Sequence, residues 1–436
     1  MGTKLLLETN HSLLKTMIPN IISVAIVIAV LIIIHEIGHL LIAKSSRVLV
    51  EKFSIGFGPV LIKKKIGETV YQLSLIPFGG YIKMFGEETE VEGGFLTQPA
   101  KKKIGVVIAG PIANLILGFI LTLILFLTFG VKYAEPRISL EPNSWEAEAG
   151  LKNGDLILSI ASDTITDFAA IENILTKSFG ETLNIRVRRN GEVCQIPFWV
   201  ARESLTITPF VLPIVGQVKR GGPAARIGLK AGDIIKVIDG KSVANWDEFV
   251  QVIRVSAGKK IPIQWQRNDS LYSDSVIPES VTDELTGERI GQIGIWVALP
   301  KKPLSLLSAI QESANRCLNV IIQTFVVISK VITGKISRKA IGGPIMVAKL
   351  TYEGVNWGVE YFLALWAILS INLFVVNLFP IPVLDGGRIL IFIIEAIRRK
   401  RLSKKQLDFA LNIGWGLILL LLFFTFFNDI LRFVRP

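Results

Sequence analysis

A chain of 436 residues has room for two or three domains, but half of its residues are hydrophobic, which excludes an ordinary soluble protein. The formal net charge is +12, and its distribution excludes nucleic acid as a partner: residues 132–303 carry 21 Lys+Arg against 21 Asp+Glu, whereas 44–103 carry 10 against 6 and 398–405 carry 6 against none. The excess flanks apolar runs, as juxtamembrane loops held inside by the positive-inside bias do, and does not build a groove that tracks phosphates.

Crossing about 30 Å of hydrocarbon takes roughly 20 apolar residues. Four charge-free runs reach that length: Thr16 to Ile34, Ile104 to Val131, Tyr361 to Leu384 and Phe409 to Asn428. The first lacks a small-residue cleavage site and continues as Leu40-Leu41-Ile42-Ala43, so 1–43 reads as a retained transmembrane segment and not a cleaved signal peptide. It carries His35-Glu36-Ile37-Gly38-His39. On a helix, positions i and i+4 share a face, so both imidazoles can reach one metal ion while Glu36 addresses the water beside it, and zinc suits that ligand type. A carboxylate among apolar residues in a span costs several kcal/mol unless it is paired or functional. The only other histidine, His11, precedes the span in a polar segment.

Residues 44–103 follow as a membrane-associated β region on the cytoplasmic face, with 53–59 and 70–81 as short apolar strands broken by glycines. Residues 104–131 form the second span. Its Gly110-Pro111-Ile112-Ala113-Asn114 string reads as small residues packing between helices with a proline kink, and is given no catalytic role.

The middle of the chain repeats itself. Ala149-Gly150-Leu151-Lys152-Asn153-Gly154-Asp155-Leu156-Ile157 matches Ile227-Gly228-Leu229-Lys230-Ala231-Gly232-Asp233-Ile234-Ile235 at an offset of 78 residues, and the same offset carries Asp167-Phe168 onto Asn245-Trp246 and Arg189-Asn190 onto Arg267-Asn268. Two copies of one small strand-rich module are expected, at 132–210 and 211–300. The Ala-Gly-Leu-x-x-Gly-Asp string before an apolar strand resembles PDZ domains, which bind extended peptides by adding a strand to a sheet edge; a role as spacers or steric filters stays open.

Residues 301–360 read as an amphipathic and linker segment. Cys317 to Ser329 has only 13 uncharged residues, too few to span, and is expected to lie on the membrane or pack on the core. The third transmembrane segment, 361–397, holds Asn377-Leu378-Phe379-Pro380-Ile381-Pro382-Val383-Leu384-Asp385-Gly386-Gly387. Backbone broken by prolines and glycines at membrane depth is tolerated only where it packs in protein or lines a cavity. Asp385 is therefore the candidate third ligand that a catalytic zinc requires. A basic loop, 398–408, and a fourth span, 409–436, complete the chain. Four spans put both basic segments on one face and both termini with the repeated modules on the other. Cys194 and Cys317 lie in no metal or redox motif and read as free thiols.

His-Glu-x-x-His in the first span with Asn-x-x-Pro-x-Pro-x-Leu-Asp-Gly-Gly in the third resembles the site-two protease family of intramembrane metalloproteases. The likeness covers nearly the whole chain. It implies a polytopic α-helical membrane protein with four transmembrane helices, a membrane-associated β hairpin and two tandem PDZ-like α+β domains, placed in a bacterial inner membrane with termini and modules periplasmic. It implies Zn2+ on His35, His39 and Asp385, Glu36 as the proton-transferring base, and Asn377, Pro380 and Pro382 against the substrate. Single-span membrane proteins of the anti-sigma-factor type, already trimmed outside, and remnant signal peptides are the implied substrates. Because helical peptide bonds must be exposed before attack, an edge strand at Leu73, Ser74, Leu75 and Ile76 is expected to pair with the unwound substrate. Membrane lipid is a further partner. The competing readings are a membrane-anchored PDZ scaffold with a structural or vestigial metal site, and a transporter, which lacks the expected inverted repeat.

Overall fold

The computed structural model describes residues 26–141, 143–202, 205–283, 288–335 and 342–434. These form two units, Phe129–Leu304 and the chain on either side of it. His11 and the beginning of the first apolar run lie outside the described residues.

The first described element of the flanking unit is α1 (Ile26–Ser45), which continues past Ile34 through both histidines. A hairpin follows, β1 (Val50–Ile66) and β2 (Thr69–Met84), turned at Gly67. It is folded over on itself: Ile55 stands opposite both Gly80 and Leu73, and Leu73 opposite both Ile55 and Ile62. The fold-over runs through Gly56, whose φ is 86° and where an added Cβ would lie 2.6 Å from the Ile76 carbonyl oxygen. After Pro99, α2 (Ala100–Phe129) starts ahead of the charge-free run and takes Lys101, Lys102 and Lys103 into its first turn.

The Phe129–Leu304 unit opens with β3 (Val131–Lys132). Its first module runs β4 (Ile138–Ser139), α3 (Trp145–Glu148), β5 (Leu156–Ile160), β6 (Asp163–Thr164), α4 (Phe168–Lys177), β7 (Thr182–Arg189), β8 (Glu192–Trp199) and β9 (Thr208–Pro209). The second repeats it as β10 (Val215–Val218), α5 (Pro223–Arg226), β11 (Ile234–Ile238), β12 (Lys241–Ser242), α6 (Trp246–Val255), β13 (Ile261–Arg267) and β14 (Ser270–Val276). Then β15 (Glu279–Thr282), β16 (Arg289–Gln292) and β17 (Ile295–Val297) lead to β18 (Lys301–Lys302), which pairs with β3 and so joins the unit's two ends. The two four-stranded sheets have the same order, β6-β5-β7-β8 and β12-β11-β13-β14. Alternation along β7 and β13 sends Ile185 and Val187, and Ile261, Ile263 and Trp265, into separate apolar cores. The modules are PDZ-like α+β domains.

The positions that repeat at 78 residues are the ones that hold each module together. Asp155 and Asp233 are buried, and each receives a two-pronged ion pair, from Arg189 at 2.8 and 2.7 Å and from Arg267 at 2.7 and 2.7 Å. The same guanidinium donates to the Gly150 or Gly228 carbonyl, fastening the Gly-Asp turn to the strand hairpin. Asp167 and Asn245 cap α4 and α6 by accepting from Ala170 N and Glu248 N.

Beyond this unit, α7 (Leu306–Ile332) is capped by Ser305 and is longer than the apolar stretch Cys317 to Ser329 within it. Then come α8 (Pro344–Trp357), α9 (Val359–Asn377), α10 (Asp385–Arg398) and α11 (Lys404–Val434). Thr324 of α7 donates to the Asn372 side-chain oxygen at 2.8 Å and Phe325 meets Phe379 edge-on, so this half of α7 packs on α9. Among the described residues four helices are long and apolar enough to span: α1, α2, α9 and Lys404–Ile430 of α11. The third run is not one straight helix. Pro380 and Pro382 have no N–H to donate, so α9 stops at Asn377, the chain turns through Ile381 N to Phe379 O and Leu384 N to Ile381 O, and α10 restarts at Asp385.

One apolar core, with Ala43, Val50, Phe53, Phe95, Val107 and Phe392 among its members, joins α1, the hairpin, α2 and α10. Ion pairs Arg388–Glu87 and Lys103–Glu395 tie α10 to the first basic segment, and Arg401–Glu90 joins the two basic segments directly. Asp429, buried near the end of α11, accepts the backbone N–H groups of Gly343, Ile345 and Met346 at 3.0, 3.0 and 3.1 Å and so caps α8 from a different helix.

Asp233→Ala removes the carboxylate that orders the second module's Gly-Asp turn while leaving Arg267 able to rehydrate. The expected loss is about 2 kcal/mol of that module's stability, seen as earlier unfolding of the β-rich unit in the detergent-solubilised protein with zinc content unchanged.

Candidate metal centre

Helical spacing puts His35 and His39 one turn apart on the same face of α1, their rings 4.7 Å apart and nearly perpendicular. Asp385, the first residue of α10, reaches the same point: its Oδ2 lies 3.1 Å from His35 Nε2 and 3.6 Å from His39 Nε2, and the two Nε2 atoms are 3.2 Å apart. Each of the three side chains is little more than a tenth exposed. His39 Nδ1 donates to the Val106 carbonyl of α2 at 2.8 Å, which leaves the neutral ring with its lone pair on Nε2, directed at the other two ligands. Two imidazole nitrogens and one carboxylate oxygen converging where each is largely buried form a donor set suited to a bound cation. Three protein ligands of this kind fit zinc with a position left open.

Close approach of the helices makes this possible. A Cβ on Gly110 would fall 2.2 Å from His39 Nε2, and one on Gly38 would fall 2.3 Å from the Ala109 carbonyl oxygen, so a larger residue at either place separates α1 from α2 or displaces the ring. Gly386 and Gly387 do the same for the carboxylate, because Cβ atoms there would meet the Leu378 and Ile381 carbonyl oxygens at 2.2 and 2.1 Å. Pro111, inside α2, lacks an N–H and leaves the Val107 carbonyl without its helical donor, one residue from the carbonyl that holds His39.

A cavity of about 250 Å³ opens over the ligands and is lined also by Glu36, Tyr81, Ile82, Asn377 and Arg388. Glu36 is thus in the same space as the metal ligands. Asn377 lies beside them, its Nδ2 3.4 Å from His35 Nδ1. Pro380 and Pro382 are not among the cavity-lining residues; their place is in the turn that delivers Asp385.

The expectation of an open edge at Leu73–Ile76 needs correction. The folded hairpin leaves Leu73 with partners on both sides, Ser74 opposite Val60 and buried, and Ile76 opposite Phe57. The edge beside the metal ligands is Gly80–Ile82, paired with Ser54 and its neighbours on one side and with no strand among the described residues on the other. Gly80 has no side chain to hold Glu36 off: a Cβ there would lie 3.1 Å from Glu36 Cγ. Phe85 N donates to Leu49 O across the ladder while Met84 N turns outward to Glu87, so by alternation the N–H groups of Ile82 and Gly80 face the open side. Periodicity located the strands, but their order depends on how the hairpin folds over itself.

Three neighbours of the site were not identified from sequence. Gly110 and Asn114 sat in a string read as packing alone, and Arg388, joined to Glu87 at 2.5 Å, was given no role. The one available sign was an asparagine inside a span, a polar group that hydrocarbon does not solvate.

Residues 23–421 match the model of peptidase family M50. The regulator of sigma-E protease RseP of Escherichia coli K12 is 32% identical over 95% of this chain and 98% of that protein. The regulator of sigma-E protease RseP of Salmonella typhimurium is 31% identical over the same shares, and the regulator of sigma E protease of Haemophilus influenzae 30% identical over 94% and 98%. A solved PDZ domain of an SdrC-like protein from Listeria monocytogenes is 27% identical over 22% of this chain and 94% of that domain, with a TM-score of 0.18.

Gly110→Ala places a methyl group against the His39 ring. The purified variant is expected to hold less than a tenth of the wild-type zinc, measured by metal analysis, while remaining helical and membrane-inserted.

Proposed function

The chain belongs to peptidase family M50, the site-two protease family of zinc metalloproteases, and from that premise we propose that it cleaves single-span membrane proteins within their transmembrane segments. The observation that carries the reading is the meeting of His35, His39 and Asp385 beside Glu36 in a cavity lined by the spanning helices α1, α2 and α9 together with β2 and α10. Such a site has no use for a soluble substrate that never enters the membrane. Anti-sigma factors trimmed on their outer side and remnant signal peptides have the required form, and the three relatives above are each named a regulator of sigma-E protease.

Zinc, when bound, supplies Lewis-acid polarisation of the scissile carbonyl and of the attacking water. Glu36 accepts the proton of that water and delivers it to the leaving amine, a transfer supported by its place in the cavity wall. Asn377 hydrogen-bonds the substrate backbone next to the scissile bond. The strand edge at Gly80–Ile82 accepts an unwound stretch of substrate, so that peptide groups released from the substrate helix exchange one set of hydrogen bonds for another. Single-span substrates suit this arrangement because one unpaired helix can unwind at its end without leaving a bundle.

The two basic segments, which share a face through the Arg401–Glu90 pair, face the cytoplasm under the positive-inside bias, and the PDZ-like unit and both termini then lie outside the cytoplasm. There the modules offer contacts to the trimmed end of a substrate.

Glu36→Gln keeps the shape of the side chain and removes the base. Cleavage of a model single-span substrate is expected to fall by about 100-fold or more with zinc near stoichiometric; normal cleavage would reject Glu36 as the base. Ile82→Pro deletes an N–H that faces away from β1. A drop of about tenfold or more in transmembrane cleavage, with zinc content retained, is the expected outcome, and unchanged turnover would remove strand pairing at this edge.

A further inference from the structure

Asn114 occupies α2 directly behind His35, and its environment is unlike that of any other polar residue near the site. It is wholly buried, its Nδ2 stands 3.3 Å from His35 Nδ1, and its Oδ1 has no hydrogen-bond partner. Its own carbonyl accepts from Ser370 of α9 at 2.7 Å, so the backbone there is fixed between two helices and the side chain has little freedom to leave.

The metal reading sets the proton count. A neutral imidazole that gives its Nε2 lone pair to a cation carries its hydrogen on Nδ1, and that N–H needs an acceptor. An amide –NH2 facing it would oppose donor to donor and leave Oδ1 unpaired as well. A half-turn of the carboxamide about its last side-chain bond brings Oδ1 onto the Nδ1–H and gives both groups a partner at the same spacing. Which end of an amide faces a neighbour is decided by the network, and here the network has one proton to place.

Two amides compete for that proton, since Asn377 lies at nearly the same distance. Their surroundings separate them. Asn377 lines the cavity and is partly exposed, where water or a substrate peptide group can meet either end of it. Asn114 is sealed between helices and has only His35. We propose that Asn114 is a positioning residue whose side-chain oxygen accepts the Nδ1 proton of His35, holding that ligand in its zinc-binding tautomer and orientation and leaving Asn377 free for substrate. On α1 the two ligands would then be oriented by neighbours on the same partner helix: His39 by the Val106 carbonyl and His35 by Asn114, two turns further along α2.

This inference rests on the assignment of His35, His39 and Asp385 to zinc, and the test separates the two. Zinc affinity of the purified, membrane-solubilised protein is measured by competition with a chelator, in wild type, His35→Ala, Asn114→Leu, Asn114→Asp and Asn377→Leu. His35→Ala is expected to lose zinc. Asn114→Leu, close in size but without an acceptor, is expected to bind zinc 10- to 100-fold more weakly. Asn114→Asp, which can accept but cannot donate, is expected to bind at least as tightly as wild type, and this rescue distinguishes orientation of the ligand from a merely packed helix contact. Asn377→Leu is expected to keep wild-type zinc affinity while losing turnover. Wild-type affinity in Asn114→Leu, or equal weakening in Asn114→Asp, overturns the proposal while leaving the zinc assignment standing. If Asn114→Leu does not fold, Asn114→Asp alone decides by the same criterion. A wild-type protein that holds no zinc, or a His35→Ala variant that holds it fully, overturns the metal assignment and this inference with it.

Discussion

Three electron-rich ligand atoms from two helices distant in sequence are brought within 3.6 Å of one another inside a membrane unit. That convergence is unfavourable unless a cation occupies the centre, because carboxylate and imidazole are withdrawn from water without a proton donor for each lone pair. The rest of the membrane unit can be understood as what is required to build it. The helices must come close, the chain must break at membrane depth so that Asp385 points inward, and the ring nitrogens that do not face the metal must be held by something else.

Small residues and prolines meet the first two requirements by subtraction. Gly38 and Gly110 remove side chains where α1 crosses α2, and Gly386 and Gly387 remove them where the turn after α9 folds back on its own carbonyls. Pro380 and Pro382 withdraw two backbone donors, so the third traverse cannot remain one helix. The third requirement is met by polar groups of α2, a helix that contributes no metal ligand.

Away from the site the same economy of buried charge recurs. Asp155 and Asp233 are each neutralised by a two-pronged arginine, and Asp429 by three backbone N–H groups at the start of α8. In each case one carboxylate ties together segments that hydrophobic packing alone would leave free to slide, since apolar contacts have no preferred register. The charges joining the hairpin and α10 segments, Glu87 with Arg388 and Glu90 with Arg401, act at the rim of the same unit.

Much of this was readable in the residues themselves. Charge-free runs set the number of spans because hydrocarbon thickness sets a minimum length, and the 78-residue repeat disclosed two modules because a turn held by one Asp–Arg pair tolerates few other residues. His35, Glu36 and His39 were legible from helical periodicity, and Asp385 from a carboxylate at the end of an apolar run broken by prolines. Strand order was not: the hairpin folds over on itself, which encloses Leu73 and turns the edge at Gly80–Ile82 toward the ligands. Nor was the role of α2, whose Gly110 and Asn114 read as packing until the rings of His35 and His39 were seen against them. Local periodicity determines which face of a helix or strand a residue occupies. Which other face it meets depends on contacts between segments far apart in the chain, and only the tertiary structure decided those.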